Sequence, residues 1–307
     1  MDEIVRGLTS KQKCLPTKLF FDEIGSELFL RITEQPEYYV ARVESALLSQ
    51  YASEMIRALQ FPKRIASAVV EFGASSEDKA TCLLDAENAS FSTYVAIDIS
   101  PTVLQAIEQR MKVTHPNVTV MTIRADFLEL LSVSEFVSDL SVLGFFPGNT
   151  IANFPPADVV TLLAKIREAF RRTHLAFIIG IDLCRDPVRL TAAYNDAAGI
   201  QAAFHRNLLV NVNRLTSGDL NDRAFRHSAM WNEVEGRMEF DLVSRCDQVA
   251  YVAGYRIHFY EGEKIRTGIS HKFHSEEFTE LVSAAGWKTG NVWKDPESLF
   301  GIFLMFG

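Results

Sequence analysis

The chain has 307 residues, of which 48% are hydrophobic and 23% are charged, and its formal net charge is -8 at pH 7. This composition is typical of a globular protein with a sizeable core, and it argues against a general nucleic-acid surface, which needs clustered Lys and Arg. The N-terminal residues lack the apolar stretch of a signal peptide, and no apolar run is long enough to span a bilayer. We expect a cytoplasmic protein that binds neither nucleic acid nor membrane, and we take it to be a monomer.

The predicted elements change character along the chain. The first sixty residues are polar and predict helices, with an interruption at 35–39. Short apolar strands then alternate with helices, which predicts a doubly wound parallel sheet, an α/β fold. The strands are predicted at 67–73, 93–99, 118–124, 140–146 and 175–183, and the helices at 78–86, 101–113 and 156–170.

The pattern differs from residue 186 to residue 273. A helix is predicted over 189–210, followed by strands at 238–245, 248–253 and 255–260. The last part of the chain predicts a helix over 276–285 and a strand over 299–306. We therefore predict a Rossmann-like core and an inserted mixed α+β lobe. The core is predicted to comprise 43–184 and 273–307, and the lobe 1–42 and 185–272.

Polar residues follow three successive strands, where ligands of such sheets bind. Gly73 ends the first strand in a loop of small residues that lets a ligand approach the backbone. Asp98 ends the second at a spacing where a carboxylate can accept hydrogen bonds from ribose hydroxyls. Asp126 and Phe127 follow the third, where an acid and an aromatic ring can bind adenine. Together these positions favour an adenosine ligand, although each alone also fits an ordinary turn.

The loop sequence narrows the choice of adenosine cofactor. It contains neither a complete GxGxxG nor the GxxxxGK[ST] pattern, which disfavours a dinucleotide or a triphosphate. S-adenosylmethionine carries no phosphate and needs only a looser loop. The loop from Gly148 to Asn153 follows the fourth strand and presents amide groups where a methyl acceptor would lie. Asn153 fits a plain turn residue equally well.

The sequence resembles a known family, the histidine-specific Nα-methyltransferases of the ergothioneine pathway. The resemblance extends from about Leu15 to the C-terminus. It implies a Rossmann-like methyltransferase core, a substrate lobe and S-adenosylmethionine as cofactor. The stretches that carry it are LPTKLFFDEIGSELFLRITEQPEYYVAR, GNTIANF, RLTAAYNDAAGIQAAFHRN and SHKF.

The resemblance also implies roles for individual residues. Ser270 matches a family serine that contacts the substrate ring. The residues matched to the cofactor site are Gly73, Lys79, Asp98, Asp126 and Phe127. The residues matched to the amino and carboxylate groups of the substrate are Tyr38, Gly148, Asn153 and Tyr194.

Four departures from the family pattern bear on cofactor and substrate. The family loop Gly-Ser-Gly reads Gly-Ala-Ser at 73–75. A family tyrosine near the substrate amine is Phe21, and a methionine of the ring pocket is Phe240. The family glutamate that holds the imidazole is Gly268. Losing a carboxylate partner costs a polar ring about one to several kcal/mol, so the side-chain pocket is predicted to be altered.

Methyl transfer from a sulfonium to an amine is an in-line displacement that needs positioning and exclusion of water more than a strong base. We expect Asn153, Tyr38 and Tyr194 to hold an amino acid, while the backbone from Gly148 to Thr150 orients its nitrogen. The candidate catalytic residues are Asn153, Tyr38 and Thr150.

Several functions remain open from the sequence. The favoured substrate is an amino acid other than histidine, such as an aromatic one, or a closely related amine. The alternatives are histidine itself, trimethylated on its α-nitrogen, and methylation of a ring nitrogen of histidine or of an aromatic amino acid. A non-catalytic nucleoside-binding module is supported by Ser75 alone, and an NAD-dependent oxidoreductase is the weakest alternative. No metal site is expected, because only His271 and His274 are close in sequence and the four cysteines form no CxxC pair.

Overall fold

The computed structural model describes residues 1–62, 64–126, 137 and 139–307. The chain forms two compact units, unit 1 comprising 1–39 and 185–271, and unit 2 comprising 40–184 and 272–307. Within these described ranges, no helix combines the length and the apolar character needed to cross a membrane. Phe127, predicted to bind the cofactor, lies outside the described residues.

Both units contain helices and strands. The helices are α1 (Asp2–Thr9), α2 (Glu23–Thr33), α3 (Tyr39–Ala58), α4 (Asp78–Leu84), α5 (Pro101–Thr114), α6 (Pro156–Ala169), α7 (Pro187–Tyr194), α8 (Ile200–Thr216) and α9 (Ser275–Ala284). The strands up to residue 182 are β1 (Lys13–Cys14), β2 (Ser67–Phe72), β3 (Phe91–Asp98), β4 (Thr119–Arg124), β5 (Ser141–Phe146) and β6 (Leu175–Asp182). The later strands are β7 (Phe225–Asn232), β8 (Arg237–Ser244), β9 (Gln248–Val252), β10 (Tyr255–Phe259), β11 (Lys264–His271), β12 (Lys288–Lys294) and β13 (Phe300–Phe306). Short 3-10 helices lie at Thr17–Phe20, Thr150–Asn153 and Asp222–Ala224.

Unit 2 is built on a seven-stranded sheet, counted over the described residues, with the order β12-β13-β6-β5-β2-β3-β4. The strands β2 to β6 pair in parallel, whereas β13 pairs antiparallel with β6 and with β12. The central strands β2, β5 and β6 are buried along their whole length, as their continuous apolar sequences predict for a sheet covered on both faces. The predicted doubly wound α/β core is confirmed.

The strand order sets the place where ligands bind. The chain runs outward from β2 through β3 to β4 and then continues on the other side of β2 with β5 and β6. The switch point therefore lies between β2 and β5, and ligands of such sheets bind at the carboxyl ends of the strands there.

Aromatic packing fills the core of unit 2. The ring of Phe177 lies 5.3 Å from that of Phe72 and 5.4 Å from that of Trp287. A Cβ at Gly144 would overlap the Phe177 ring, so the glycine makes room for a large side chain on the neighbouring strand. Proline occupies the first turn of α5 and of α6, where its missing N–H leaves no hydrogen bond unmade.

Unit 1 combines a four-stranded sheet, with the order β1-β11-β8-β7 in the described chain, and the β9–β10 hairpin. Helix α8 packs against α2 and β7. The predictions for this unit missed β1, β7 and β11. Strand β7 has the sequence FRHSAMWN, in which only Phe225 and Ala229 are buried, so it shows no strict alternation.

The single helix predicted over 189–210 is wrong. The chain forms α7 and α8 instead, separated by the residues that follow Tyr194. The carboxylate of Asp196 accepts hydrogen bonds from the backbone N–H groups of Ile200 and Gln201, both at 2.7 Å, and this begins a new helix. Gly199 adopts φ +72, a left-handed conformation that interrupts the helical path.

Candidate cofactor and substrate sites

Four of the predicted residues lie at one edge of the unit 2 sheet. Gly73, Asp98, Asp126 and Gly148 follow or end β2, β3, β4 and β5, which are neighbours in the sheet and run in parallel. The Gly73 N–H donates to the carbonyl of Ile97 at 2.9 Å, so the loop after β2 is held against the end of β3. The sheet thus aligns these positions along the carboxyl ends of its parallel strands, with Gly73 and Gly148 on either side of the switch point.

The glycine loop leaves room for a ligand. Gly73 has φ +76, and a Cβ at this position would meet only the Thr150 Cγ2 atom, at 3.9 Å. Of the residues Gly73, Ala74 and Ser75, only Gly73 has a positive φ. A serine at position 75 therefore adopts an ordinary backbone conformation, and the departure from Gly-Ser-Gly does not distort the loop.

Asp98 has the charge that a ribose contact needs. Its Oδ1 atom accepts a hydrogen bond from the Ser100 N–H at 2.7 Å, and its second oxygen is not used in that bond. Burial raises the pKa of Asp98 to about 6, and hydrogen bonds from the backbone of Ser100 and Ile99 oppose the increase. The group is therefore mainly a carboxylate at pH 7 and can accept hydrogen bonds from hydroxyl groups.

A buried carboxylate that the sequence did not reveal organises the loop after β5. Glu44, on α3, is 1% exposed and accepts hydrogen bonds from the Gly148 N–H at 2.9 Å to each of its oxygens. The Lys79 ammonium lies 2.5 Å from Glu44 Oε2. Lys79, predicted to contact the cofactor, thus belongs to a three-membered cluster with Glu44 and Gly148. Glu44 lies in a mixed polar helix, so no spacing or motif singled it out.

The same loop is also hydrogen-bonded to the backbone of Asp182, a member of a second buried ion pair. Asn149 adopts a left-handed φ of 59, and its side-chain oxygen accepts a hydrogen bond from the Asp182 N–H at 2.9 Å. The Asp182 carboxylate pairs with the Lys272 ammonium at 2.6 Å, and both side chains are fully buried. The loop that contains Thr150 and Asn153 therefore starts from a fixed backbone.

The predicted catalytic residues of this loop differ in environment. The Thr150 hydroxyl donates to the Pro147 carbonyl at 3.1 Å, which ties it to the backbone. Asn153 ends the 3-10 helix with an exposed side chain. Its amide can therefore bind a ligand without breaking a hydrogen bond that the described structure contains.

Glu71 is another acid that sequence reasoning missed. It lies in β2 two residues before Gly73, is 1% exposed, and accepts a 2.5 Å hydrogen bond from the Tyr94 hydroxyl. Burial raises the pKa of Glu71 to about 8, with the Tyr94 hydrogen bond and the Lys79 charge opposing the increase. Glu71 is therefore mainly protonated at pH 7, so it adds no negative charge next to the glycine loop.

Three of the predicted substrate residues form a cluster in unit 1. The rings of Tyr38 and Tyr194 lie 5.9 Å apart in an edge-to-face arrangement, and Tyr194 lies 4.9 Å from Phe240. All three are about 7% exposed. Tyr38 precedes α3 and Tyr194 ends α7, so residues far apart in sequence supply one aromatic surface.

Gly268 and Ser270 lie next to this surface on β11. Gly268 pairs with Phe240 across the sheet, and Ser270 pairs with Met238. Residues two apart on a strand face the same side, so Gly268 and Ser270 share the side that carries the predicted ring contact. Ser270 is 3% exposed.

A buried histidine adjoins the same cluster. The His205 ring lies 5.4 Å from Phe240, and its Nδ1 atom is 2.8 Å from the Thr267 hydroxyl. Because the Thr267 hydroxyl donates to the Phe240 carbonyl, it accepts from His205 Nδ1. Burial lowers the pKa of His205 well below its ordinary value, so the ring is neutral. Phe21 lies in a neighbouring group, with its ring 6.1 Å from that of Phe204.

The predicted site residues are divided between the two units. Unit 1 contains Tyr38, Tyr194, Phe21, Phe240, Gly268 and Ser270. Unit 2 contains Gly73, Lys79, Asp98, Asp126, Gly148, Thr150 and Asn153. Among the described residues, Gly73, Asp98 and Asp126 of the predicted cofactor set lie at one end of the sheet, and most of the predicted substrate set lies in or beside one aromatic cluster.

The fold is similar to that of one class of enzyme, the S-adenosylmethionine-dependent methyltransferases. A solved structure of such a methyltransferase from Clostridium acetobutylicum ATCC 824 matches with a TM-score of 0.50 and 9% identity, covering 91% of this chain and 97% of that chain. This likeness concerns the fold alone.

Sequence comparison defines the family. The model of the histidine-specific, S-adenosylmethionine-dependent methyltransferases matches residues 1–306. A histidine N-alpha-methyltransferase of Mycolicibacterium smegmatis is 34% identical, covering 98% of this chain and 93% of that protein. A 4-dimethylallyltryptophan N-methyltransferase of Epichloe festucae var. lolii is 27% identical, covering 96% and 91%. The chain belongs to the histidine-specific methyltransferase family, and it is an N-methyltransferase that uses S-adenosylmethionine.

Proposed function

We propose that the enzyme methylates the α-amino group of an amino acid with an apolar aromatic side chain. The proposal combines an amino-acid clamp of the family type with a side-chain pocket that has lost its charged partner. The observation that carries it is Gly268, at the position where the family has a glutamate.

Nothing in the backbone requires glycine at position 268. Gly268 is absent from the positive-φ residues, and a Cβ there would make ordinary contacts at 3.4 Å with Thr17 and 3.5 Å with Phe240. A larger side chain can therefore begin at this position. With glycine at this position, no carboxylate stands beside Phe240 to bind an imidazole N–H.

The surroundings of Gly268 favour an aromatic ring. The Phe240 ring lies 4.9 Å from the Tyr194 ring and 5.4 Å from the ring of the neutral His205. Such surfaces bind aromatic groups through stacked and edge-to-face packing, worth about 0.5–1.5 kcal/mol beyond burial. Similarity to N-methyltransferases named for a tryptophan derivative supports the same side-chain class.

Histidine is the second candidate substrate. Its support is the 34% identity to a histidine N-alpha-methyltransferase and the presence of Ser270, which matches the family serine of the ring site. Methylation of a ring nitrogen is a further outcome that product analysis separates from both.

The proposed mechanism relies on positioning. S-adenosylmethionine supplies an electrophilic methyl group, and the residues of the chain hold the amine. Tyr38, Tyr194 and Asn153 bind the amino and carboxylate groups, and the backbone from Gly148 to Thr150 orients the nitrogen lone pair toward the methyl carbon. Bound S-adenosylmethionine would supply the methyl group and keep its sulfur as a thioether, while the residues of the chain hold the amine in line with the methyl carbon and the amine proton passes to water. Substitutions Asn153→Ala and Tyr194→Phe should raise the KM for the amino acid, whereas unchanged values would contradict the clamp.

The test of the side-chain assignment restores the missing group. Gly268→Glu should raise kcat/KM for histidine relative to tryptophan by about 10- to 100-fold, because a hydrogen bond to a charged group contributes about 1.5–3 kcal/mol. Gly268→Gln is the control, since it has nearly the same volume without the charge, and it should give a smaller change. If Gly268→Glu leaves the ratio unchanged, or if the wild type already prefers histidine to every aromatic amino acid, the proposal is wrong.

A further inference from the structure

A cavity in unit 1 is lined by residues that have no predicted role in binding S-adenosylmethionine or the amino acid. Its volume is about 220 Å³. This is below the 300–1,000 Å³ of typical pockets for drug-sized ligands, so it suits a compact occupant. The lining includes Arg206, Arg226, Arg245, Asp196, His227 and Gly199.

Three arginines line this cavity. Arg206 is half-buried on α8, whereas Arg226 and Arg245 are exposed at the same end of the β7–β8 pairing. In the part of the chain that the structure describes, none of the three forms an ion pair with a carboxylate. Arg237 and Arg266 of the same unit both pair with Glu239. The arginines of the cavity therefore differ from Arg237 and Arg266, whose charges are matched by neighbouring carboxylates.

The carboxylate in the cavity, that of Asp196, forms no ion pair with these arginines in the described part of the chain. Asp196 is 6% exposed, and its two oxygens accept the backbone N–H groups of Ile200 and Gln201, both at 2.7 Å. Its charge is directed at the first turn of α8, where it stabilises the helix. Gly199, which also lines the cavity, has no atom within 4 Å of the position that a Cβ would occupy. The cavity is therefore open at Gly199.

We propose that this cavity binds a compact polyanion of the phosphate or polycarboxylate class. Guanidinium groups bind such anions through paired, charge-assisted hydrogen bonds, and several arginines around a small volume select for more than one negative charge. The net charge of -8 makes a general attraction for anions weak, so binding must come from this local cluster.

The cavity is connected to the predicted substrate residue Tyr194. The Nε2 atom of His227, a cavity residue, donates to the Tyr194 carbonyl at 2.9 Å, and His227 Nδ1 is buried without a hydrogen-bond partner among the described residues. Asp196 follows Tyr194 in the segment between α7 and α8. An anion that fixes this segment would therefore also fix the end of α7.

The test measures binding of inorganic pyrophosphate to the full chain by calorimetry, with citrate as the polycarboxylate. The double variant Arg226→Gln with Arg245→Gln removes two exposed cavity arginines and should weaken binding at least tenfold. Its matched control is Arg223→Gln with Arg256→Gln, two exposed arginines outside the cavity lining that carry the same total charge. The control should bind like the wild type.

Three outcomes would overturn the proposal. The first is the absence of saturable binding of either probe at millimolar concentration. The second is an equal loss of affinity in the control double variant, which would indicate bulk charge attraction. The third is competitive displacement of pyrophosphate by the amino-acid substrate, which would assign the cavity to the substrate site.

Discussion

Replacing Glu71 by glutamine isolates the energetic effect of a buried acid beneath the glycine loop. Glu71 is fully buried, accepts a 2.5 Å hydrogen bond from Tyr94, and has its pKa raised by burial from 4.5 to about 8. At a pH between these two pKa values, Glu71 keeps its proton in the folded chain and loses it in the unfolded chain. Stability contributed by the protonated form therefore falls as the pH rises from about 4.5 to about 8.

The size of this effect follows from the two pKa values. Over the full interval from pH 4.5 to about pH 8, the raised pKa of Glu71 lowers the free energy of unfolding by roughly 5 kcal/mol. Between pH 6 and pH 8 the decrease is about 2 kcal/mol. Glu71→Gln has no proton to lose. The free energy of unfolding of the wild type should therefore fall by about 2 kcal/mol relative to that of the variant across this range.

Urea denaturation at several pH values measures the difference. The contributions of other titrating groups are common to both proteins, so they cancel in the comparison. Tyr94→Phe serves as a second variant, because it removes the hydrogen bond that lowers the pKa of Glu71 and should extend the pH-dependent loss to higher pH. A difference between wild type and Glu71→Gln that stays constant from pH 6 to pH 8 would refute the reasoning.

Three further predictions concern the cofactor edge. Glu44→Gln leaves Lys79 and the Gly148 N–H without their buried carboxylate, so it should lower the free energy of unfolding by about 3 kcal/mol in urea denaturation. Since burial raises the pKa of Asp98 to about 6, calorimetric affinity for S-adenosylmethionine should fall about tenfold from pH 7 to pH 5, as the carboxylate is protonated. Asp98→Asn should remove this pH dependence. Gly73→Ala meets no steric clash but must adopt φ +76, so it should cost about 1–2 kcal/mol of stability, and no loss on thermal denaturation would contradict that.

The α/β core could be predicted because its signals are local. Continuous apolar runs mark strands such as β2 and β6, and parallel pairing then forces Gly73 and Asp98 to the same edge of the sheet. The family resemblance added Tyr38 and Tyr194, which composition alone would class as packing residues. Their edge-to-face contact in unit 1 shows that both lie in one aromatic cluster.

The remaining features depend on contacts between distant parts of the chain. Glu44 acquires its importance from Gly148, 104 residues away, and no local pattern in α3 distinguishes it from a solvent-exposed glutamate. The break between α7 and α8 depends on the capping bonds of Asp196 and on the left-handed Gly199, which hydrophobic periodicity does not detect. His205 could have been found, because its spacing from Phe204 and Leu208 places it on the buried face of α8.

The measurement that tests the central claim most directly is a competition assay with the wild-type enzyme. All twenty amino acids are supplied at equal concentration with S-adenosylmethionine, and mass spectrometry identifies each product and the nitrogen that carries the methyl group. The structure around Gly268 predicts that an aromatic amino acid is methylated on its α-nitrogen in preference to histidine. Exclusive formation of Nα-methylated histidine, or methylation of a ring nitrogen, would contradict it.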